Sequence, residues 1–219
     1  MPLMATGADE ILRQVPLNRF QSILDIGMGD GTASLHFAKN GKDVTGIGVS
    51  MESYNPILNS TEKINIHECD MNEFNKNYPS KKFDAIWASH VIEHTFNTGE
   101  FIAQCWDHLN DDGWLLLLTP LNTNLVVGGH YMTGWNIGQI IYILAHFGFD
   151  TKNGNYLKYK ASNVAFVQKS CHLKSKFSEL KLRYDNGDFD QLRQLFFPTG
   201  LNEDQGDTFD GNIDRINWG

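Results

Sequence analysis

The stretch Ser22-Ile-Leu-Asp-Ile-Gly-Met-Gly-Asp-Gly-Thr-Ala-Ser34 passes from a short apolar run, through three alternating glycines, into a segment of helical character. The apolar run, residues 22–26, has the length and branched content of a buried strand. Glycines at 27, 29 and 31 suit a chain that turns sharply from strand to helix and lets a ligand approach the main chain. The dinucleotide-binding fingerprint places its third glycine three residues after the second; here that position holds Thr32. Alone, such a loop is a weak signal. It gains weight from following the first strand of an alternating chain.

Upstream, residues 6–15 pattern as a short amphipathic helix, with Thr6 as its cap and Asp9 in the capping-box position. Downstream, a helix over 32–40 leads to a second strand at 43–49 and a helix near 51–59. A third strand covers 64–70, a helix 71–77, a fourth strand 83–89 and a helix 99–110. The Asn-Asp-Asp-Gly turn at 110–113 opens the fifth strand, WLLLLTP; a long loop, a helix over 135–147 and a hairpin of strands near 149–159 and 163–169 follow. Strands of continuous apolar character alternating with helices imply a parallel sheet covered on both faces, with the hairpin adding an antiparallel strand.

Residues 171–219 differ. Between Tyr184 and Asp214 lie eight acids and one base, Arg193. Residues 188–197 pattern as a short amphipathic helix, and Phe209, Ile213, Ile216 and Trp218 make the end too apolar for a disordered tail. The division expected is a main domain over 1–170 and an extension, 171–219, that docks on it.

The 219 residues, 41% apolar and 20% charged, describe one ordinary globular domain. A net charge of −8 without a Lys/Arg cluster argues against a nucleic-acid partner. The apolar runs are too short to span a bilayer, so no membrane partner is expected. The opening residues lack the basic start and apolar stretch of a signal peptide. Three widely spaced cysteines, Cys69, Cys105 and Cys171, suit free thiols in a reducing compartment. A cytoplasmic protein is the expectation.

Four segments in order, ILDIGMGDG at 23–31, CDM at 69–71, FDAIWASHVIEH at 83–94 and LNDDGWLLLLTP at 109–120, resemble the class I S-adenosylmethionine-dependent methyltransferases over roughly residues 20–170. The resemblance implies an α/β, Rossmann-like, doubly wound sheet of seven strands, mostly parallel with one antiparallel. It also implies S-adenosylmethionine as cofactor, lying across the strands' C-terminal ends, and a small-molecule acceptor. Carried over by position, Gly27, Gly29 and Gly31, with Met28 between them, would line the methionine and ribose part, and Asp25 would order the loop or meet the ammonium. Asp70 would accept from the adenine amino group and Met71 would pack on the ring; Asp70 reads equally as the cap of helix 71–77. Gly48, Val49, Ser50, Ala88 and Ser89 complete the implied cofactor set. Gly48 departs from the pattern, which has an acid for the ribose hydroxyls there; Ser50 and Glu52 are close enough to replace it. The NADP alternative needs an arginine nearby, and residues 41–63 offer only Lys42 and Lys63.

His90-Val-Ile-Glu-His94 follows the fourth strand, where the resemblance places groups facing the transferred methyl. On a helix His90, Glu93 and His94 would share one face. The letters also match a zinc-protease signature, which needs a helix and a further downstream ligand; the strand context belongs to another fold, and no metal is assigned. The structural alternative is that Glu93 and His94 only pair with each other or cap a turn. In the catalytic reading a neutral His removes the proton of a hydroxyl acceptor, and a helix N-terminus at His90 would favour its neutral form. His130, in the loop after the fifth strand, is a further catalytic candidate; Tyr131 and Trp135 are candidate acceptor contacts. Phe196, Phe197, Asn202, Asn212 and Trp218, aromatic and amide-bearing, point to a polar, sugar-like acceptor. The function expected is methyl transfer to a hydroxyl of such a small molecule. The alternatives are an inactive S-adenosylmethionine-binding partner subunit, for which Gly48 argues, and a metal hydrolase using HVIEH.

Overall fold

A computed structural model describes residues 7–50, 60–121, 133–180, 188–199, 201 and 211–218. The chain opens with α1 (Ala8–Leu12) and a 3-10 turn, then alternates β1 (Ser22–Ile26), α2 (Thr32–Lys39), β2 (Asp43–Gly48), β3 (Ile64–Glu68), α3 (Met71–Asn77), β4 (Phe83–Ser89), α4 (Thr98–His108) and β5 (Leu109–Pro120). After α5 (Ile137–His146) come the hairpin β6 (Phe149–Tyr159) and β7 (Ser162–Lys169), then α6 (Cys171–Glu179), α7 (Asp188–Phe196) and β8 (Arg215–Ile216).

The strands form one sheet in the order β3-β2-β1-β4-β5-β7-β6-β8. The first five are parallel and β7 runs antiparallel to both β5 and β6. This is the α/β architecture expected, with one strand more. The eighth, β8, is two residues of the extension, and it exists because Tyr156 and Leu157 of β6 offer it an edge.

Two apolar layers hold the sheet. On one face Phe74, Ile102, Cys105, Ile140, Ile141, Leu144, Leu192 and Phe196 of the covering helices pack on Leu24, Ile86, Leu115 and Leu117. On the other, Ile11, Leu12, Phe37 and Ala38 pack on Ile23, Val44, Ala85, Trp87, Leu116 and Leu118. Each such side chain buried is worth about 1.5–3 kcal/mol. α5 shows why a segment commits to one layer: Ile137, Ile140, Ile141 and Leu144 share a face, and Asn136 and Gln139 close a capping box at its start.

The extension is pinned at several points. Leu192 and Phe196 of α7 are in the core, Thr151 donates to the Phe196 carbonyl, and Lys152 to that of Gln194 (2.7 Å). On the opposite layer the Trp218 ring lies 5.0 Å from Phe166 and its indole N–H donates to Gln14 (3.1 Å).

Several local readings are corrected. α1 is capped by Gly7 in the left-handed region, and Asp9 pairs with Arg13 one turn on (3.3 Å) instead of closing a box; Thr6 lies outside the described residues. The turn at 110–113 is an excursion inside β5: partners jump from Phe83–Leu109 to Ala85–Trp114, with Asp112 at φ 61°. α6 has no counterpart in the sequence reading. The helix near 51–59 lies outside the described residues. No helix among those described is long and apolar enough to cross a membrane.

Candidate functional site

The chain winds outward from β1 to β3 on one side and from β4 to β5 on the other, so the strand order reverses between β1 and β4. Open α/β sheets bind ligands beyond the carboxyl ends of the strands at such a switch point. A cavity of about 680 Å³ opens there, lined by residues from the ends of β1, β2, β3 and β4 and from the start of α4.

The glycine loop forms its floor. Gly27 has φ +68°, and a Cβ there would sit 2.5 Å from Val91 Cγ2; conformation and contact both require glycine. The amides of Gly27 and Met28 donate to the Ile47 carbonyl, tying the loop to β2. Gly29 lines the cavity too. Gly31 instead caps α2 in the left-handed region, and the Met28 side chain is buried against Ile64 and Ile66. Asp25, 1% exposed, accepts from Ser34 Oγ at 2.6 Å and so fastens β1 to α2 beneath the loop. Burial pushes its carboxyl up to about 7, against the pull of the Ser34 bonds. It lies outside the lining of the cavity.

At the far end Gly48, Val49 and Ser50 line the cavity beside Cys69, Asp70 and Met71. Asp70 is the N-cap of α3, its Oδ1 accepting from Glu73 N–H at 2.8 Å; both roles read for it can coexist, since a carboxylate has a second oxygen for a ligand. Glu52 lies outside the described residues. Ala88 and Ser89 are absent from the lining; Ala88 is in the core, and Ser89 pairs with Leu118 in the sheet.

His90 leaves β4 at φ 56°, its amide donating to Leu118 O at 2.9 Å. The chain then makes one 3-10 turn, Ile92–His94. No helix presents His90, Glu93 and His94 on one face, so neither the zinc-protease geometry nor a helix N-terminus at His90 is formed. Among the described residues no group of three or more His, Cys, Asp or Glu could hold a metal ion.

The turn makes a different constellation. Glu93 is fully buried, with Oε1 3.3 Å from His90 Nδ1 and 3.9 Å from His94 Nε2. Neither carboxylate oxygen has a hydrogen bond of good geometry among the described residues. His90 Nε2 lies 3.1 Å from Ser162 Oγ at the start of β7. Both histidines line the cavity and Glu93 sits behind them. The Thr133 amide, which donates to the Glu93 carbonyl at 3.3 Å, and Trp135, whose indole donates to Thr133 Oγ1 at 2.9 Å, brace the turn.

His130, Tyr131 and Asn202 lie outside the described residues. Trp135 and Asn212 line a second, smaller cavity of about 280 Å³, with Asn136, Lys158 and Asn163. Phe196 and Phe197 are buried in the core and Trp218 packs on Phe166, so these aromatics do not face the main cavity. Its remaining wall went unread in the sequence: Thr95, Phe96, Asn97, Glu100, Phe101 and Gln104. The available signal was the N-cap pattern, Asn97 accepting from Glu100 N–H at 3.1 Å, directly after an apolar Phe96.

A model of the methyltransferase domain family matches residues 4–162. A mitochondrial ubiquinone biosynthesis O-methyltransferase of Bos taurus is 32% identical over 133 residues, 53% of this chain and 35% of the relative. N-methyltransferase 4 of Papaver somniferum is 34% identical over 110 residues, 46% of this chain and 30% of the relative. The chain therefore spans about a third of the length of these relatives. Among solved structures, the Burkholderia thailandensis 1,6-didemethyltoxoflavin-N1-methyltransferase, crystallised with S-adenosylhomocysteine, superposes with TM-score 0.61 at 18% identity, over 75% of this chain and 77% of that one. An S-adenosylmethionine-dependent methyltransferase of Archaeoglobus fulgidus gives TM-score 0.61 at 16% identity, over 74% and 93%.

Proposed function

Because the chain belongs to the methyltransferase domain family, whose class I members use S-adenosylmethionine, we propose that it moves a methyl group from that donor to a hydroxyl of a small molecule. The observation that carries the reading is the cavity at the switch point, where the glycine loop and Asp70 stand at one side and His90 and His94, backed by Glu93, at the other.

The residues suit the donor. Gly29 lines the cavity, and among the described residues no side chain lies within 4 Å of where its Cβ would be, so a ligand can lie against the main chain there. Gly27 and Gly29 would take the methionine and ribose part, Gly48, Val49 and Ser50 the ribose side, and Asp70 and Met71 the adenine. The donor supplies a methyl group on a sulfonium centre.

The chain's own task is then positioning and proton removal. Methyl transfer is an in-line displacement, dominated by holding the acceptor oxygen against the methyl. As that oxygen bonds to carbon, its proton passes to His90 or His94, and Glu93 stabilises the imidazolium formed. An imidazolium at either position would stand beside the buried Glu93 carboxylate.

Transfer of labelled methyl from S-adenosylmethionine to hydroxyl compounds tests this. His90→Ala or His94→Ala, whichever removes the base, should lower turnover roughly a hundredfold with donor affinity retained. Turnover at the parent's rate in both variants would refute the base. A donor-binding subunit without activity, the reading Gly48 favours, expects donor binding and no labelled product with any acceptor.

A further inference from the structure

His90 has a partner facing each of its ring nitrogens. Nε2 lies 3.1 Å from Ser162 Oγ, and Nδ1 lies 3.3 Å from Glu93 Oε1. Both partners are anchored. Ser162 is fully buried and opens β7, paired with Pro120 of β5 and Tyr159 of β6; Glu93 is fully buried as well. The main chain of His90 is fixed at φ 56°, with its amide on the Leu118 carbonyl. A second path of hydrogen bonds joins the same pieces. Asn163, next to Ser162, donates to the Trp135 carbonyl at 2.8 Å, Trp135 donates to Thr133, and Thr133 donates to the Glu93 carbonyl. His90 is thus a crossbar between the end of β4 and the start of β7.

Each imidazole nitrogen offers one in-plane site, a lone pair or a hydrogen. With Ser162 on Nε2, an acceptor hydroxyl in the cavity does not reach that site. Ser162 lies outside the cavity lining, so it does not pass the acceptor's proton on. A hydroxyl brought to Nδ1 would have to share it with a carboxylate 3.3 Å away, the stronger partner. His94 differs. It lines the cavity, and its side chain is 38% exposed against 18% for His90. Its Nε2 stands 3.9 Å from Glu93 Oε1, beyond hydrogen-bond reach and still close enough for the charge to act.

We propose that His94 takes the acceptor's proton, and that His90, clamped by Ser162, is a positioning residue that holds Glu93 and the turn bearing His94. The base rests on the methyl-transfer reading; the clamp does not. In the step, the acceptor oxygen bonds to the methyl carbon and the carbon–sulfur bond breaks, leaving its electron pair on sulfur. The acceptor's O–H proton goes to a ring nitrogen of His94. Ser162, 72 residues along the chain from His90, shapes the site without touching the substrate.

Diethyl pyrocarbonate, which acylates the imidazole nitrogens it can reach, reads the clamp in the full chain without any acceptor. Fragmentation mass spectrometry locates the modified histidines. His94 should react faster than His90, and Ser162→Ala should raise the rate of His90 about fivefold, the worth of one neutral hydrogen bond. Fully buried His108 should stay unmodified in both proteins, which reports an intact fold; should it react in Ser162→Ala, the parent's two rates decide. Turnover is then measured with labelled S-adenosylmethionine and whichever of phenol, catechol, glycerol and methyl glucoside the parent methylates fastest. His94→Ala should lose about a hundredfold, partly restored by added imidazole. His90→Ala should lose about tenfold in kcat, with the donor's KM unchanged and no rescue by imidazole. If the parent methylates none of the four, the methyl-transfer reading fails and takes the base with it, while the acylation rates still decide the clamp. The proposal is overturned if His90 reacts as fast as His94 in the parent, or if a folded Ser162→Ala leaves His90 at the parent's rate. It is overturned too if imidazole restores His90→Ala and not His94→Ala.

Discussion

Asp25→Asn should change how stability depends on pH. An Asp titrates near 3.9 when unfolded, and burial holds Asp25 near about 7 in the fold. Below about pH 4 the carboxyl is protonated in both states and the fold carries no penalty. As pH rises from about 4 to about 7 the unfolded chain gives up this proton while the fold keeps it, so stability falls. Above about pH 7 the fold ionises as well and the loss is complete. A difference of about 3 units at about 1.4 kcal/mol each makes the full loss about 4 kcal/mol. Asparagine keeps an acceptor for Ser34 and does not titrate, though its amide protons need partners and cost about 1–3 kcal/mol at every pH. The assay is urea unfolding of parent and variant at several pH values between about 4 and 8. Subtracting the two curves removes every other titrating group. The stability of Asp25→Asn relative to the parent should rise by up to about 4 kcal/mol across that window. Parallel curves would refute the account of a buried, proton-retaining Asp25.

Gly27→Ala should destabilise the fold by about 1–3 kcal/mol, because it forces a positive φ and a clash with Val91, and should cost donor affinity beyond that; a variant with the parent's melting temperature would count against the loop geometry. Phe196→Ala should cost about 3–5 kcal/mol, since this fully buried ring ties the extension to the core; a loss below 1 kcal/mol, read by denaturant titration, would show that α7 packs only loosely. Gly48→Asp should tighten S-adenosylhomocysteine about ten- to a hundredfold by restoring a charged hydrogen bond; weaker binding would show that the ribose lies elsewhere.

What was legible in the sequence was local and periodic. The run at 22–26, the glycines after it and the apolar residues 115–118 declare strand and loop through their own composition. The apolar periodicity of 135–147 declares α5 as a helix. What stayed hidden depends on distant partners. β8 is a strand only because β6 offers an edge, and α6 has no buried residue to give it a stripe. The pairing of His90 with Ser162 spans 72 residues. HVIEH drew attention for the right residues in the wrong geometry: one 3-10 turn gathers them around Glu93 where a helical face was expected. Phe196 and Phe197 were read as acceptor contacts, but apolar side chains on an amphipathic helix go to the core when one is in reach. Phe96, unremarked in the sequence, is the exposed ring at the cavity.

The cavity between the glycine loop and Asp70 is proposed to hold S-adenosylmethionine. Calorimetric titration of the full chain with S-adenosylhomocysteine, beside a matched titration with NADP, tests it most directly. S-adenosylhomocysteine should bind saturably, more weakly in Asp70→Ala, and NADP should not bind, since Thr32 interrupts the fingerprint and residues 43–62 hold no base for the extra phosphate. Saturable binding of NADP with none of S-adenosylhomocysteine would contradict it.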